Sequence, residues 1–83
     1  MLSLDNLKLN ERAIIKAIDS EQSIKTRLYD MGLNIGEQIQ CVLISPSKLI
    51  KAYLVKNTLI AIRCSDAQKI LVGGVNEENS FNR

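Results

Sequence analysis

The side chains in this chain that could hold a metal or act on a substrate are two thiols and a scatter of carboxylates. The sequence contains no His, which removes the commonest general base and the commonest metal ligand together. Cys41 and Cys64 stand far apart in sequence, and neither sits in a CxxC or other paired spacing that would announce a zinc or redox site. Asp19, Glu21, Asp30, Glu37 and Asp66 could meet only by folding, and solvation at the surface is the usual fate of such residues. Cys41 shares a strand face with Ile39 and Leu43 by simple alternation, so it reads as a small buried hydrophobe. Cys64 falls where a strand meets a helical turn and reads as structural or neutral. Gly32 and Gly36 sit singly at turns and Gly73-Gly74 as an isolated pair, so no phosphate-binding loop is present. The expectation is a protein without catalytic residues, cofactor or metal ligands of its own, and hence not an enzyme.

Binding chemistry is constrained in the same way. Eleven basic and nine acidic residues leave a net charge of +2 spread along the chain, so no strong field of one sign is expected. Lys16, Lys25, Arg27 and Lys51 form no basic stripe interleaved with stacking aromatics, so nucleic acid is not the expected partner. With no Trp, two Tyr and one Phe, the chain cannot build the aromatic groove that holds a polyproline helix. No apolar run approaches the roughly 20 residues needed to span a bilayer, and no signal-peptide h-region follows Met1. The thiols are accordingly read as reduced and the chain as cytoplasmic.

The elements that must position these residues are short. A length of 83 residues supports one domain with one modest core, here aliphatic. Glu11 to Asp19 reads as a strand whose alternation breaks near Ala17-Ile18, as a bulge would cause. Asp19 or Ser20 is placed to cap a helix in which Ile24, Leu28 and Met31 recur at helical spacing, and Gly32 stops it. Leu33-Asn34-Ile35-Gly36 is a tight turn, Glu37 to Ile44 a second strand, and Ser45-Pro46-Ser47-Lys48 a loop. Leu49 to Val55 and Thr58 to Arg63 form a hairpin around Lys56-Asn57. Ser65-Asp66-Ala67-Gln68 has the form of a capping box, Ile70-Leu71-Val72 that of a last strand, and residues 75–83 that of a disordered polar tail behind a domain of residues 1–74. The sum is mostly β: a small barrel with one short α-helix after the first strand and a helical turn before the last. Apolar residues occupy both faces of the late strands, with Ile50, Leu54 and Leu59 opposed to Tyr53, Val55, Ile60 and Ile62. Only one face can fill the core, so the other is either covered by the helices or the tail or left open as a candidate partner surface.

From Leu4 to Val72 the pattern resembles the FeoA family. The resemblance rests on Leu4 and Leu7, the segment Arg27-Leu28-Tyr29-Asp30-Met31-Gly32-Leu33-Asn34-Ile35-Gly36, Ser45-Pro46, Ile60-Ala61-Ile62-Arg63, and the pair Ala67 and Ile70. Asn10 and Asn57 stand where the family usually carries Gly, and Asn tolerates the left-handed region that such turns need. What the resemblance implies is an SH3-like β-barrel and a non-enzymatic accessory role in ferrous iron uptake. It implies a FeoB-type transporter as partner, with the membrane reached only through that transporter and iron association by family alone. Expected contact residues are Ile50, Leu54 and Leu59 with the basic Arg27 and Lys51. Arg27 has a local alternative, an ion pair with Asp30 or a bond to a strand carbonyl. Two other readings stay open: a stand-alone metal- or protein-binding domain like the SH3-like end of metal-dependent repressors, and a small nucleic-acid-binding barrel. Weak self-association would be another use of the second apolar face.

Overall fold

In the computed structural model, residues 2–77 are described. The chain runs β1 (Leu2–Ser3), a 3₁₀ turn (Leu4–Asn6), β2 (Glu11–Ile18), α1 (Gln22–Asp30), β3 (Gln38–Ile44), β4 (Ile50–Val55), β5 (Thr58–Arg63), α2 (Cys64–Ala67) and β6 (Ile70–Glu77). All strand pairs are antiparallel and form one six-stranded sheet in the order β1-β6-β2-β3-β4-β5. Among the described residues the ladder does not close, so β1 and β5 are edges. The N-terminal 3₁₀ turn lies against the inner face of β4. Lys51 of β4 donates from Nζ to the carbonyls of Asp5 and Leu7, at 2.5 and 3.2 Å, and the hydroxyl of Tyr53 donates to that of Leu4 at 3.3 Å. Leu4 and Leu7 are fully buried beneath these bonds. The turn therefore plugs the sheet with two leucines while its carbonyls find donors on β4, as burial of backbone polar groups requires.

The core is aliphatic apart from Tyr53: Ala13, Ile15 and Ile18 of β2, Ile39 and Cys41 of β3, Tyr53 and Val55 of β4, Ile60 and Ile62 of β5, Ala67, and Ile70 and Val72 of β6. In β5 the alternation is strict, with Ile60 and Ile62 buried and Leu59, Ala61 and Arg63 exposed. β2 carries the expected irregularity, a register shift against β6 between Ile15 and Ala17. An added residue at that point restores Ile18 to the core, where it is 5% exposed.

α1 ends as its sequence predicts. Gly32 adopts φ 99°, its N–H donates to the carbonyl of Tyr29 at 2.9 Å, and the N–H of Leu33 donates to that of Leu28 at 3.0 Å. These two bonds are a Schellman motif, with buried Leu33 folded back beside buried Leu28. Met31 corrects the expected helical face: it is the C-cap and stays 39% exposed, while Ile24 and Leu28 pack on the core. The helix start is corrected as well. Glu21 is the N-cap and no side-chain cap is made, because the backbone of Asp19 is still bound to the sheet through its N–H to the carbonyl of Lys69 at 2.7 Å. α2 likewise begins one residue before the expected capping box, with Arg63 as an N-cap that makes no side-chain bond.

Two further differences concern the ends. β1 and the 3₁₀ turn were not expected, since two residues carry no readable period. β6 runs on to Glu77, beyond the expected last strand Ile70-Leu71-Val72, because Arg12 and Glu11 of β2 still offer partners to Asn76 and Glu77. The remainder of the expected tail lies outside the described residues.

Candidate partner-binding site

The hairpin of β4 and β5 sets the faces. Lys56 and Asn57 take φ 51° and 64°, a two-residue turn with both residues left-handed, which matches the twist of the flanking strands. Cross-strand partners share a face, so Leu54 lies beside Leu59, Ala52 beside Ala61, and Ile50 beside Arg63 on the outside of the sheet. The inside carries Tyr53 beside Ile60 and Lys51 beside Ile62. Across β3, Gln40 pairs with Leu54 and Cys41 with Tyr53, but Leu43 pairs with Ala52, because a bulge at Val42 inserts one residue into the register.

That bulge corrects the reading of Leu43. Cys41 and Ile39 are fully buried, whereas Leu43 is turned to the outer face and is 60% exposed. The run Val42-Leu43-Ile44, apolar at three successive positions, was the one sequence sign that alternation fails there. Leu43 therefore joins Ile50 at 42% and Leu59 at 62% exposure in one apolar field, with half-buried Leu54 and with Ala52 at its floor. Ile50, Leu54 and Leu59, named from sequence, are thus neighbours on one face.

Arg27 and Lys51 are not beside them in the same way. Lys51 is on the inner face, and its ammonium is committed to the carbonyls of the N-terminal turn. Arg27 is exposed on α1 and forms no ion pair with Asp30; among the described residues its guanidinium makes no ion pair or hydrogen bond. It lines a cleft of about 190 Å³ between the end of α1 and β5, with Met31, Ala61, Arg63 and Asp66. Sequence reasoning missed this cleft because its walls are far apart in the chain.

The thiols do not form a reactive pair. Cys41 is sealed in the core and burial pushes its thiol above the ordinary value of 9.0. Cys64 is free and half-buried, its Sγ donating to the carbonyl of Lys48 at 3.1 Å. Among the described residues no three His, Cys, Asp or Glu side chains come together in a way that could hold a metal ion. Among these residues the donor set does not fit a resident iron. Among the same residues no helix is long and apolar enough to cross a membrane. What the arrangement can do is bind. Covering an exposed leucine or isoleucine contributes about 1 to 3 kcal/mol, whereas an exposed ion pair such as Lys56 to Glu37, at 3.0 Å, contributes about 0 to 1 kcal/mol. On this face apolar contact outweighs charge.

Comparison with known proteins agrees with the fold. Residues 2–73 match the family model described as the FeoA domain. Among solved structures, the FeoA protein from Chlorobium tepidum superposes with a TM-score of 0.81 at 24% identity, covering 99% of this chain and 80% of that one. Iron(II) transport protein A from Clostridium thermocellum gives 0.82 at 27% identity, covering 86% of this chain and 44% of that one. FeoA from Stenotrophomonas maltophilia, complexed with zinc and described as a prokaryotic SH3 domain protein, gives 0.80 at 23% identity over 93% of this chain and 98% of that one. Among the curated proteins no sequence matches.

Proposed function

The chain belongs to the FeoA family, and we propose that it acts without catalysis as an accessory module of ferrous iron uptake, by binding a FeoB-type transporter. The observation that carries this reading is the outer apolar face of β3, β4 and β5, where Leu43, Ile50 and Leu59 are left exposed around half-buried Leu54. A domain of this size has little reason to leave so many large aliphatic side chains on one face unless something covers them. The Stenotrophomonas maltophilia protein is described as a candidate activating factor of bacterial ferrous iron transport, which supports a transporter as that partner. Iron is the cargo of the system in this reading and needs no site here.

The test is a titration of the ¹⁵N-labelled chain with the cytosolic domain of its cognate FeoB, followed by amide shifts. Saturable shifts on β3 to β5 are expected. Leu54→Glu places a charge among the apolar side chains and should weaken binding by at least about tenfold while leaving the fold intact, since Leu54 faces outward. Unchanged affinity in that variant removes the outer face as the site, and no shifts for the parent chain remove this domain of the transporter as the partner.

A further inference from the structure

The two edges of the sheet are treated differently. β1 is only two residues long, which is one of the ways proteins blunt an edge against unwanted pairing. β5 has six residues, Thr58 to Arg63, with no proline, no lysine and no register shift against β4, and its single charged side chain is Arg63 at its end. Its backbone orientation follows from the hairpin. A two-residue turn makes Val55 and Thr58 a hydrogen-bonded pair, so Ile60 and Ile62 also bond toward β4, and the N–H of Cys64 continues the series to the carbonyl of Leu49 at 2.8 Å. The N–H and C=O of Leu59 and Ala61 and the N–H of Arg63 therefore point away from the sheet. Among the described residues nothing binds them.

Beside this open edge lies the cleft formed with the end of α1. Two guanidiniums, Arg27 and Arg63, line it with a single carboxylate, Asp66, and neither arginine forms an ion pair among the described residues. Met31, exposed at the C-cap of α1, supplies a flexible apolar wall. We propose that β5 is a docking edge for an extended acidic segment of a partner protein, which adds as a seventh strand and places a carboxylate against Arg27 and Arg63. Main-chain bonds to Leu59, Ala61 and Arg63 would supply the binding, and the excess of positive charge in the cleft would select the sequence. This deepens the reading of the chain as a partner-binding module and rests on it, while adding a second contact beside the outer apolar face.

The probe is an acetylated, amidated hexapeptide of alternating Thr and Val with one terminal Glu, compared with the same peptide carrying Lys in place of Glu. Saturable shifts of the Leu59, Ala61 and Arg63 amides are expected, with the Lys peptide about threefold weaker. Ala61→Pro removes an N–H that the β4 ladder does not use, a position where an edge strand accepts proline. It should weaken the peptide by about tenfold. A peptide N-methylated at alternate amides asks the same question without touching the protein, and should also fail. Equal binding of the N-methylated peptide, or shifts confined to the Ile50 and Leu54 face, would overturn the proposal. So would concentration-dependent protection of the β5 amides without peptide, which would make the occupant a second copy of this chain. If the hexapeptide binds as expected and the FeoB domain does not, the docking edge stands and the transporter reading falls. If the FeoB domain binds Ala61→Pro as tightly as the parent, the transporter reading stands and β5 is not its docking edge.

Discussion

Lys51 sits in β4 between Ile44 on one side and Ile62 on the other, a place where an aliphatic residue would be expected from the strand pattern. Its four-carbon stem fills that place, and its ammonium reaches the carbonyls of Asp5 and Leu7. Those carbonyls belong to the turn that packs on the inner face of β4. Lys51→Met keeps the stem and deletes the charge, so it separates packing from hydrogen bonding. The expected loss is about 1 to 3 kcal/mol of unfolding free energy by urea denaturation, with the amides of residues 2–7 exchanging faster than those of β4. A variant as stable as the parent would mean that these carbonyls are equally well served by water. In the linear sequence Lys51 looks like one more surface cation next to Ile50, because the bond that fixes it runs to residues more than forty positions away.

At the level of elements, what could be read in advance was what local chemistry determines. The hairpin turn at Lys56-Asn57, the loop around Pro46 and the stop at Gly32 each depend on residues within a few positions, and each is found where composition puts it. The caps of α1 and α2 were misplaced because a side chain able to cap does so only if the sheet releases the preceding backbone. The bulge at Val42 and the two-residue β1 depend on partners elsewhere in the chain. Gly32 is the element-level position with the sharpest consequence. At φ 99° no neighbouring atom lies within 4 Å of where a Cβ would sit, so the obstacle to a side chain there is backbone strain alone. Gly32→Val is expected to cost roughly 1 to 3 kcal/mol in a denaturant titration. Gly32→Asn, which tolerates the left-handed region better, should recover much of it. Equal losses for both would point to a steric cause and against the conformational one.

For the whole molecule, the decisive feature is that one aliphatic core is sealed with two ionisable groups inside it, while the opposite face of the same strands is left apolar and open. The first half was legible from the excess of Ile, Leu and Val. Which of those residues share a face was legible in β4 and β5 and at Ile39 and Cys41, where alternation is unbroken, but not at Leu43 beyond the bulge, and the cleft beside β5 was not legible at all. The sealed groups are Cys41 and Tyr53, cross-strand neighbours on the inner face. Burial raises the thiol of Cys41 from its ordinary 9.0, and it raises the phenol of Tyr53 from its ordinary 10.0, to well above the range in which an exposed tyrosine titrates. Both groups are neutral when protonated, so each folded-state value lies above the unfolded one. The folded state then holds protons that the unfolded chain has already released, and stability present below pH 9 falls as the pH rises. The midpoint of urea unfolding should hold steady from pH 7 to about pH 8.5, decline beyond pH 9 as the unfolded thiol ionises, and decline more steeply beyond pH 10 as the unfolded phenol follows. Tyr53→Phe gives up the bond to the carbonyl of Leu4 and so starts from a lower midpoint, yet its curve should be flatter above pH 10. A variant that keeps the parent's slope there would mean that Tyr53 is not the group whose burial sets the alkaline limit of this fold.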